Sequence, residues 1–350
     1  MPRSAKARSP RPPRQGANVN AWAELLRLPA LFTVPGDALA GAAAAGARPN
    51  PRTLVAIASS LCLYEAGMAL NDWADRAEDA VDRPHRPLPS GRIKPTAALA
   101  AAGGLTAAGL ALASTAGRRP LAVAGALATT VWSYDLVLKR TPAGPVAMAA
   151  ARALDLLLGG VAANGDFRRA LPSALALGTH TLAVTTVSRH ETQGGSPWAP
   201  VSALATTAAL TWSVTRDGPA WDRNPPRDWG PGRDRRPGPD RQPARDRQSG
   251  RYRQSENDRQ PGRAAATAAN LAPLRGALAA VYAVTAARPL FHAALNPSPQ
   301  LTQRAVGGGI RAMIPLQAAL AARSGAPVTA LLTAALAPAA RRFGRKVSVT

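Results

Sequence analysis

Residues 67–95 read GMALNDWADRAEDAVDRPHRPLPSGRIKP, an acidic cluster and then a basic one directly after an apolar run. If the helix that carries the apolar run continues to Pro84, which forbids its normal continuation, the acids share a face. Taking Asn71 as origin and about 100° per residue, Asp82 falls at about 20°, Asp75 at about 40°, Asp79 at about 80° and Asp72 at about 100°. Like charges at these spacings repel, so the stripe destabilises its helix unless a cation neutralises it. Carboxylates with an amide and without His or Cys suit a hard ion such as Mg²⁺, which bridges a few carboxylates to substrate phosphates. Arg83, Arg86, Arg92 and Lys94 follow in a proline-pinned loop, and guanidinium groups fit phosphate oxygens bidentately. The bland reading, an ordinary positive inner loop beside helix-end acids, stands open at this point.

Outward from this stretch, the chain of 350 residues is 46% hydrophobic but only 4% aromatic. Its apolar content is dominated by alanine, which suits closely packed helices. Uncharged runs at 95–117, 170–188 and 192–215, at about 1.5 Å per residue, each cross most of a hydrocarbon core of about 30 Å. The expectation is an all-α, polytopic membrane helical bundle. A mean hydropathy of −0.09 runs against this, because two polar segments, the N-terminal arm and residues 216–263, dilute the average. A net charge of +23 would point to nucleic acid in a soluble protein. Here it sits in those polar segments and near the C-terminus, without interleaved aromatics, so no nucleic-acid partner is expected. Cys62 is the single cysteine, which excludes an intrachain disulfide and a cysteine-based metal site.

Hydropathy and breakers predict helices near 21–46, 52–75, 95–117, 120–138, 143–163, 170–190, 197–215, 267–290, 304–322 and 326–342, nine or ten in all. The organisation read from them is a basic disordered arm over 1–19, membrane helices over 20–215, a low-complexity Arg/Pro/Asp-rich loop over 216–265, further membrane helices over 266–343 and a tail over 344–350. The loop has too little aliphatic content to order itself, and insertions in surface loops cost little. The segment after the arm lacks the grammar of a cleaved signal, and the basic arm favours a cytoplasmic start in a multi-pass cell-membrane protein. The stripe then shares the cytoplasmic side with YDLVLKRTPAG and SRHETQGG.

NDWADRAEDAVDRPHRPLPSGRI resembles the first signature of the UbiA-type intramembrane aromatic prenyltransferases, N-D-x-x-D-x-x-x-D followed by R-P-x-R-P-L/I-P-S-G-R-I. Asn71, Asp72, Asp75 and Asp79 occupy its acidic positions, and Arg83, Pro84, Arg86, Pro87, Pro89, Ser90, Gly91 and Arg92 continue the match. The resemblance implies about nine transmembrane helices around a central cavity open to lipid, with Mg²⁺ on the stripe holding the diphosphate of an isoprenyl donor. It implies Lys139 as a further diphosphate contact. The family's second signature, D-x-x-x-D after the sixth helix, is replaced here by TTVSRHETQGGSP. Glu191 then supplies one ligand for a second metal, Asp155 stands as another, and Arg189 contacts phosphate in place of a cation. GPVAMAAARALDLLLGG with SRHETQGG is similar to the family's EboC-like branch.

Isolated carboxylates in membrane helices are costly, hence functional or paired. Glu65, at about 120° on the same wheel, is expected to point into the cavity, to orient or deprotonate an acceptor or to bond a neighbouring helix. Asp37 is expected to cap a break in the first helix, His180 to bond between helices, and Arg152 and Asp155 to pair. The implied function is an integral membrane prenyltransferase acting on an isoprenyl diphosphate and an aromatic or other lipophilic acceptor. Its competitors are an inactive prenyl-lipid-binding scaffold and an ion-coupled transporter, the latter expected to show charged midplane residues.

Overall fold

The computed structural model describes residues 15–26, 32–190, 196–216 and 260–347. Twelve α-helices occur among them: α1 Gln15–Leu25, α2 Val34–Ala44, α3 Pro51–Ala74, α4 Arg76–Asp82, α5 Pro95–Ala116, α6 Arg118–Leu136, α7 Gly144–Ala162, α8 Phe167–Ser188, α9 Trp198–Thr215, α10 Gln260–Leu295, α11 Pro299–Arg323 and α12 Pro327–Val347. No strand occurs among the described residues. Among the described residues six helices are long and apolar enough to cross a membrane: α3, α5, α7, α8, Leu271–Leu295 of α10, and α11. That is fewer than the nine or ten expected. Helix α2 has 11 residues, about 16 Å of rise and too short to span alone. The predicted first helix is two pieces, with Pro35 in the first turn of α2, where a missing N–H costs nothing. Helix also begins at Gln15, just beyond the prolines at 12 and 13 and inside the stretch expected as an arm.

The outermost long helix is α5, 22% buried over its apolar window, and the innermost is α11, 78% buried. Leu175, Val281, Val284, Phe291 and Leu331 face outward, more than a third exposed, as lipid-facing positions do in a multi-pass membrane protein. Inside, alanine, leucine and glycine let helices approach closely. Helices α2 and α7 meet most tightly: a Cβ on Gly159 would enter the backbone of Ala38, and one on Gly41 would enter that of Leu156. This contact fixes Asp37 on α2 against Arg152 on α7.

At one end of the bundle, Asn50 caps α3 in a capping box with Thr53 and donates to the Ala163 carbonyl at 3.2 Å. At the other end three loops converge. Lys139, after α6, meets Asp75 at the end of α3, and Arg189, after α8, donates to the Thr141 carbonyl at 2.6 Å. The three charged loops therefore share one end, as the sequence led us to expect.

Candidate active site

Hydrogen bonds from Asp75 N to Asn71 O, Asp79 N to Asp75 O and Arg83 N to Asp79 O carry the i→i−4 pattern across the junction of α3 and α4. The acids thus follow a nearly continuous helix with a distortion at Asp75 (φ −89°, ψ 3°). Three acids of the stripe, Asp72, Asp75 and Asp79, have basic partners. Arg86 reaches back from the loop to Asp79 at 2.8 Å and to Asp72 at 3.5 Å. Asp75 takes Lys139 Nζ at 2.6 Å and Arg140 at 3.4 Å. Asp72 and Asp79 are both 4% exposed, whereas Asp82 lies at the surface.

The basic loop is a closed turn. Ser90 Oγ donates to the Arg86 carbonyl at 2.6 Å, and Gly91 takes φ 72°, a conformation that favours glycine. Leu88 and Ile93 are buried as its anchors. Arg92 grips Glu24 of α1 through two nitrogens, at 2.7 and 3.2 Å, and donates to the His85 carbonyl at 2.6 Å. Arg92 therefore ties the loop to α1, while Arg86 alone of the predicted arginines reaches the acids at 3.5 Å or less. Arg83 lies 3.8 Å from Asp79 and is half exposed.

Beside the stripe opens a cavity of about 250 Å³ between α3, α6 and α7. Asn71 lines it and donates from Nδ2 to Asp135 Oδ1 at 3.0 Å. Asp135 is 4% exposed and went unassigned in the sequence reading. A signal was there: Asp135 and Lys139 stand one helical turn apart, an apolar helix ending in an acid and a base.

Four expectations are corrected. Glu65 does not line this cavity; on the wheel it lies beyond the face that Tyr64, Met68 and Asn71 present, and its carboxylate is buried with no hydrogen-bond partner among the described residues. Asp37 caps nothing: fully buried, it receives Arg152 Nη1 at 2.5 Å and Gln317 Nε2 at 2.6 Å. Arg152 accordingly pairs with Asp37 rather than with Asp155. Asp155 receives the Ser60 hydroxyl, and Ser60 is three turns along α3 from Asn71, so Asp155 is remote from the stripe as a metal ligand. His180 behaves as expected, bonded to Tyr282 and to the Gly309 carbonyl. Glu191 lies outside the described residues.

Asn71, Asp72, Asp75 and Asp79 are an all-oxygen donor set of the kind a hard divalent cation takes, and the Arg86 and Lys139 beside them carry N–H donors of the kind phosphate oxygens accept. No three His, Cys, Asp or Glu side chains among the described residues are gathered closely enough to hold a metal by themselves. Asp72, Asp75 and Asp79 are instead each held by a base.

The UbiA prenyltransferase family profile matches residues 31–215, which contain the stripe, the basic loop, Lys139 and the cavity. The chain belongs to the UbiA prenyltransferase family. It is 37% identical over 129 residues to the digeranylgeranylglyceryl phosphate synthase of Methanopyrus kandleri, covering 35% of this chain and 46% of that one. To the synthase of Ignicoccus hospitalis it is 32% identical over 194 residues, covering 53% and 64%. It is 34% identical over 160 residues to the protoheme IX farnesyltransferase of Acidiphilium cryptum, covering 43% and 49%. The matched stretches thus span about half the length of these UbiA relatives. Among solved structures, a UbiA homologue of Aeropyrum pernix K1 superposes with a TM-score of 0.52 at 17% identity, covering 80% of this chain and 96% of that one. A structure of digeranylgeranylglyceryl phosphate synthase in membranes gives 0.51 at 16% identity, covering 89% and 99%. These likenesses place the fold among UbiA structures.

Proposed function

We propose that the protein is an integral membrane prenyltransferase that moves an isoprenyl group from a polyprenyl diphosphate to an aromatic or other lipophilic acceptor, with Mg²⁺ bound by Asn71, Asp72, Asp75 and Asp79. The observation that carries this reading is the convergence of Asp75 with Lys139, and of Asp72 and Asp79 with Arg86, at the end of the cavity lined by Asn71. Bound there, Mg²⁺ supplies Lewis-acid neutralisation of charge on the departing diphosphate. Arg86 and Lys139 exchange their carboxylate partners for diphosphate oxygens and stabilise the same charge. Arg83 and Arg189 extend the positive rim, Asp135 holds the Asn71 amide in place, and Arg92 holds the loop. Glu191 is retained as a ligand for a second ion. As the C–O bond of the donor breaks, its allylic carbon gains cationic character and is attacked by an electron-rich acceptor atom, and the apolar walls exclude water.

This reading carries with it about nine membrane crossings, with the shorter helices completing the bundle around a central lipid-accessible cavity, and the motif loops on the cytoplasmic side of the cell membrane. Family membership, rather than the placement of acids, decides against a transporter, since Asp37, Arg152 and Asp155 do lie deep within the bundle. The scaffold reading keeps donor binding and loses transfer. The test is incubation of the purified protein in nanodiscs with radiolabelled geranylgeranyl diphosphate, Mg²⁺ and a membrane-lipid extract. Label in a new neutral or acidic lipid supports transfer; bound but unconverted donor across several extracts and chain lengths supports the scaffold.

A further inference from the structure

The cavity has two polar ends. Asn71 and Asp135 form one, and Ser60, Arg152 and Asp155 form the other. Ser60 and Asn71 are eleven residues apart on α3, a rise of about 16 Å. The wall between them is mostly apolar, with Leu63, Met68, Leu127 and Val131, and also carries the rings of Tyr64 and Tyr134. A prenyl chain needs no polar group at that depth, and charged side chains within membrane helices are expensive to keep.

The charges at the deep end are arranged unequally. Asp37 is fully buried behind the wall, with Arg152 on one oxygen and Gln317 on the other. Asp155 is tied to Ser60 and stands with Arg152 on the cavity surface. Asp155 also hydrogen-bonds Asp37, which places one proton between the two carboxyl groups, so with Arg152 the cluster is formally neutral and suits a neutral polar ligand over an anion. Arg152 beside Asp155 also offers N–H donors to a ligand oxygen. A neutral hydroxyl meets both conditions, donating to Asp155 and accepting from Arg152.

We propose that Arg152, Asp155 and Ser60 form a second binding pole that holds a phenolic or alcoholic hydroxyl of the acceptor at mid-membrane depth, at the opposite end of the cavity from the diphosphate. This deepens the prenyl-transfer reading by naming the acceptor as a hydroxylated apolar molecule, bound with that hydroxyl away from the reacting end. The same contacts, were they only structural, would bind no ligand and show no preference for a hydroxyl.

The experiment compares 4-hexylphenol with hexylbenzene, matched in shape but for the hydroxyl, binding to the full-length protein at fixed detergent concentration. Wild type should bind the phenol about tenfold or more tightly than the hydrocarbon, the scale of a hydrogen bond to a charged group. Asp155→Leu should abolish the preference and Asp155→Asn should reduce it. Mg²⁺-dependent binding of geranylgeranyl diphosphate, measured on the same preparations, reports whether each variant is folded. Equal affinity of wild type for the two probes overturns the proposal without recourse to any variant, as does a preference that survives Asp155→Leu in folded protein. Loss of diphosphate binding in wild type would instead strike the prenyl-transfer reading, because the phenol comparison is scored independently of it.

Discussion

Asp75 is the residue on which the stripe and the basic segment after α6 meet, since it breaks the helix geometry between α3 and α4 and binds both Lys139 and Arg140. Asp72→Ala and Asp75→Ala should each lower Mg²⁺-dependent diphosphate affinity by well over tenfold, checked by titration with and without EDTA, with membrane insertion intact. Lys139→Met should weaken donor binding by about tenfold or more, the scale of one charge-assisted hydrogen bond. Arg92→Met should act differently, because Arg92 contacts Glu24 and a backbone carbonyl: the loop loosens, and proteolysis after residue 83 quickens before donor affinity falls. Glu191→Ala should give a milder defect than the stripe variants if a single ion is held, and an equal one if two are. The acids and Lys139 were legible in the sequence because they recur at helical spacing at the end of an apolar run. The partner of Arg152 was not, because Asp37 is 115 residues away in sequence and only the packing of α2 on α7 brings them together.

That packing is the element-scale counterpart. Gly41 and Gly159 permit backbone contact between α2 and α7, and so let Asp37 neutralise Arg152 inside the bundle. Gly159→Leu should therefore destabilise the protein by about 2 kcal/mol or more, as overpacking does, and thermal unfolding in detergent should register it as a lowered midpoint. Gly103→Ala on α5 is the control. A Cβ there meets nothing within 4 Å, and replacing glycine within a helix contributes about 0.5–1 kcal/mol of stability. Most helices were readable from uncharged runs and breakers, with ends displaced by a few residues. The break in the predicted first helix is legible in Pro35 and Asp37, but continuous hydropathy places both pieces in one element, and only the structure separates α1 from α2. Glu65 was misplaced for a similar reason: a wheel gives a direction, but not which neighbour stands there.

At the scale of the whole molecule, α9 and α10 are neighbours despite the long insertion between them, and Arg275 donates to the Thr215 carbonyl at 2.8 Å. Replacing residues 217–259 with a short Gly/Ser linker should leave membrane insertion and donor affinity within about twofold of wild type, because loop length adds little to closure cost. Family membership was visible in the order of residues 71–93, and the shared end of the charged loops in the number of helices between them. The cavity's second polar end was not, since it is assembled from α3 and α7 and stabilised from α2 and α11. The most direct test of the account is equilibrium binding of geranylgeranyl diphosphate to the purified protein with Mg²⁺ and with EDTA, alongside Asp75→Ala. The account predicts binding that requires Mg²⁺ and is lost in the variant; binding that is indifferent to both, or absent for every donor length, would contradict it.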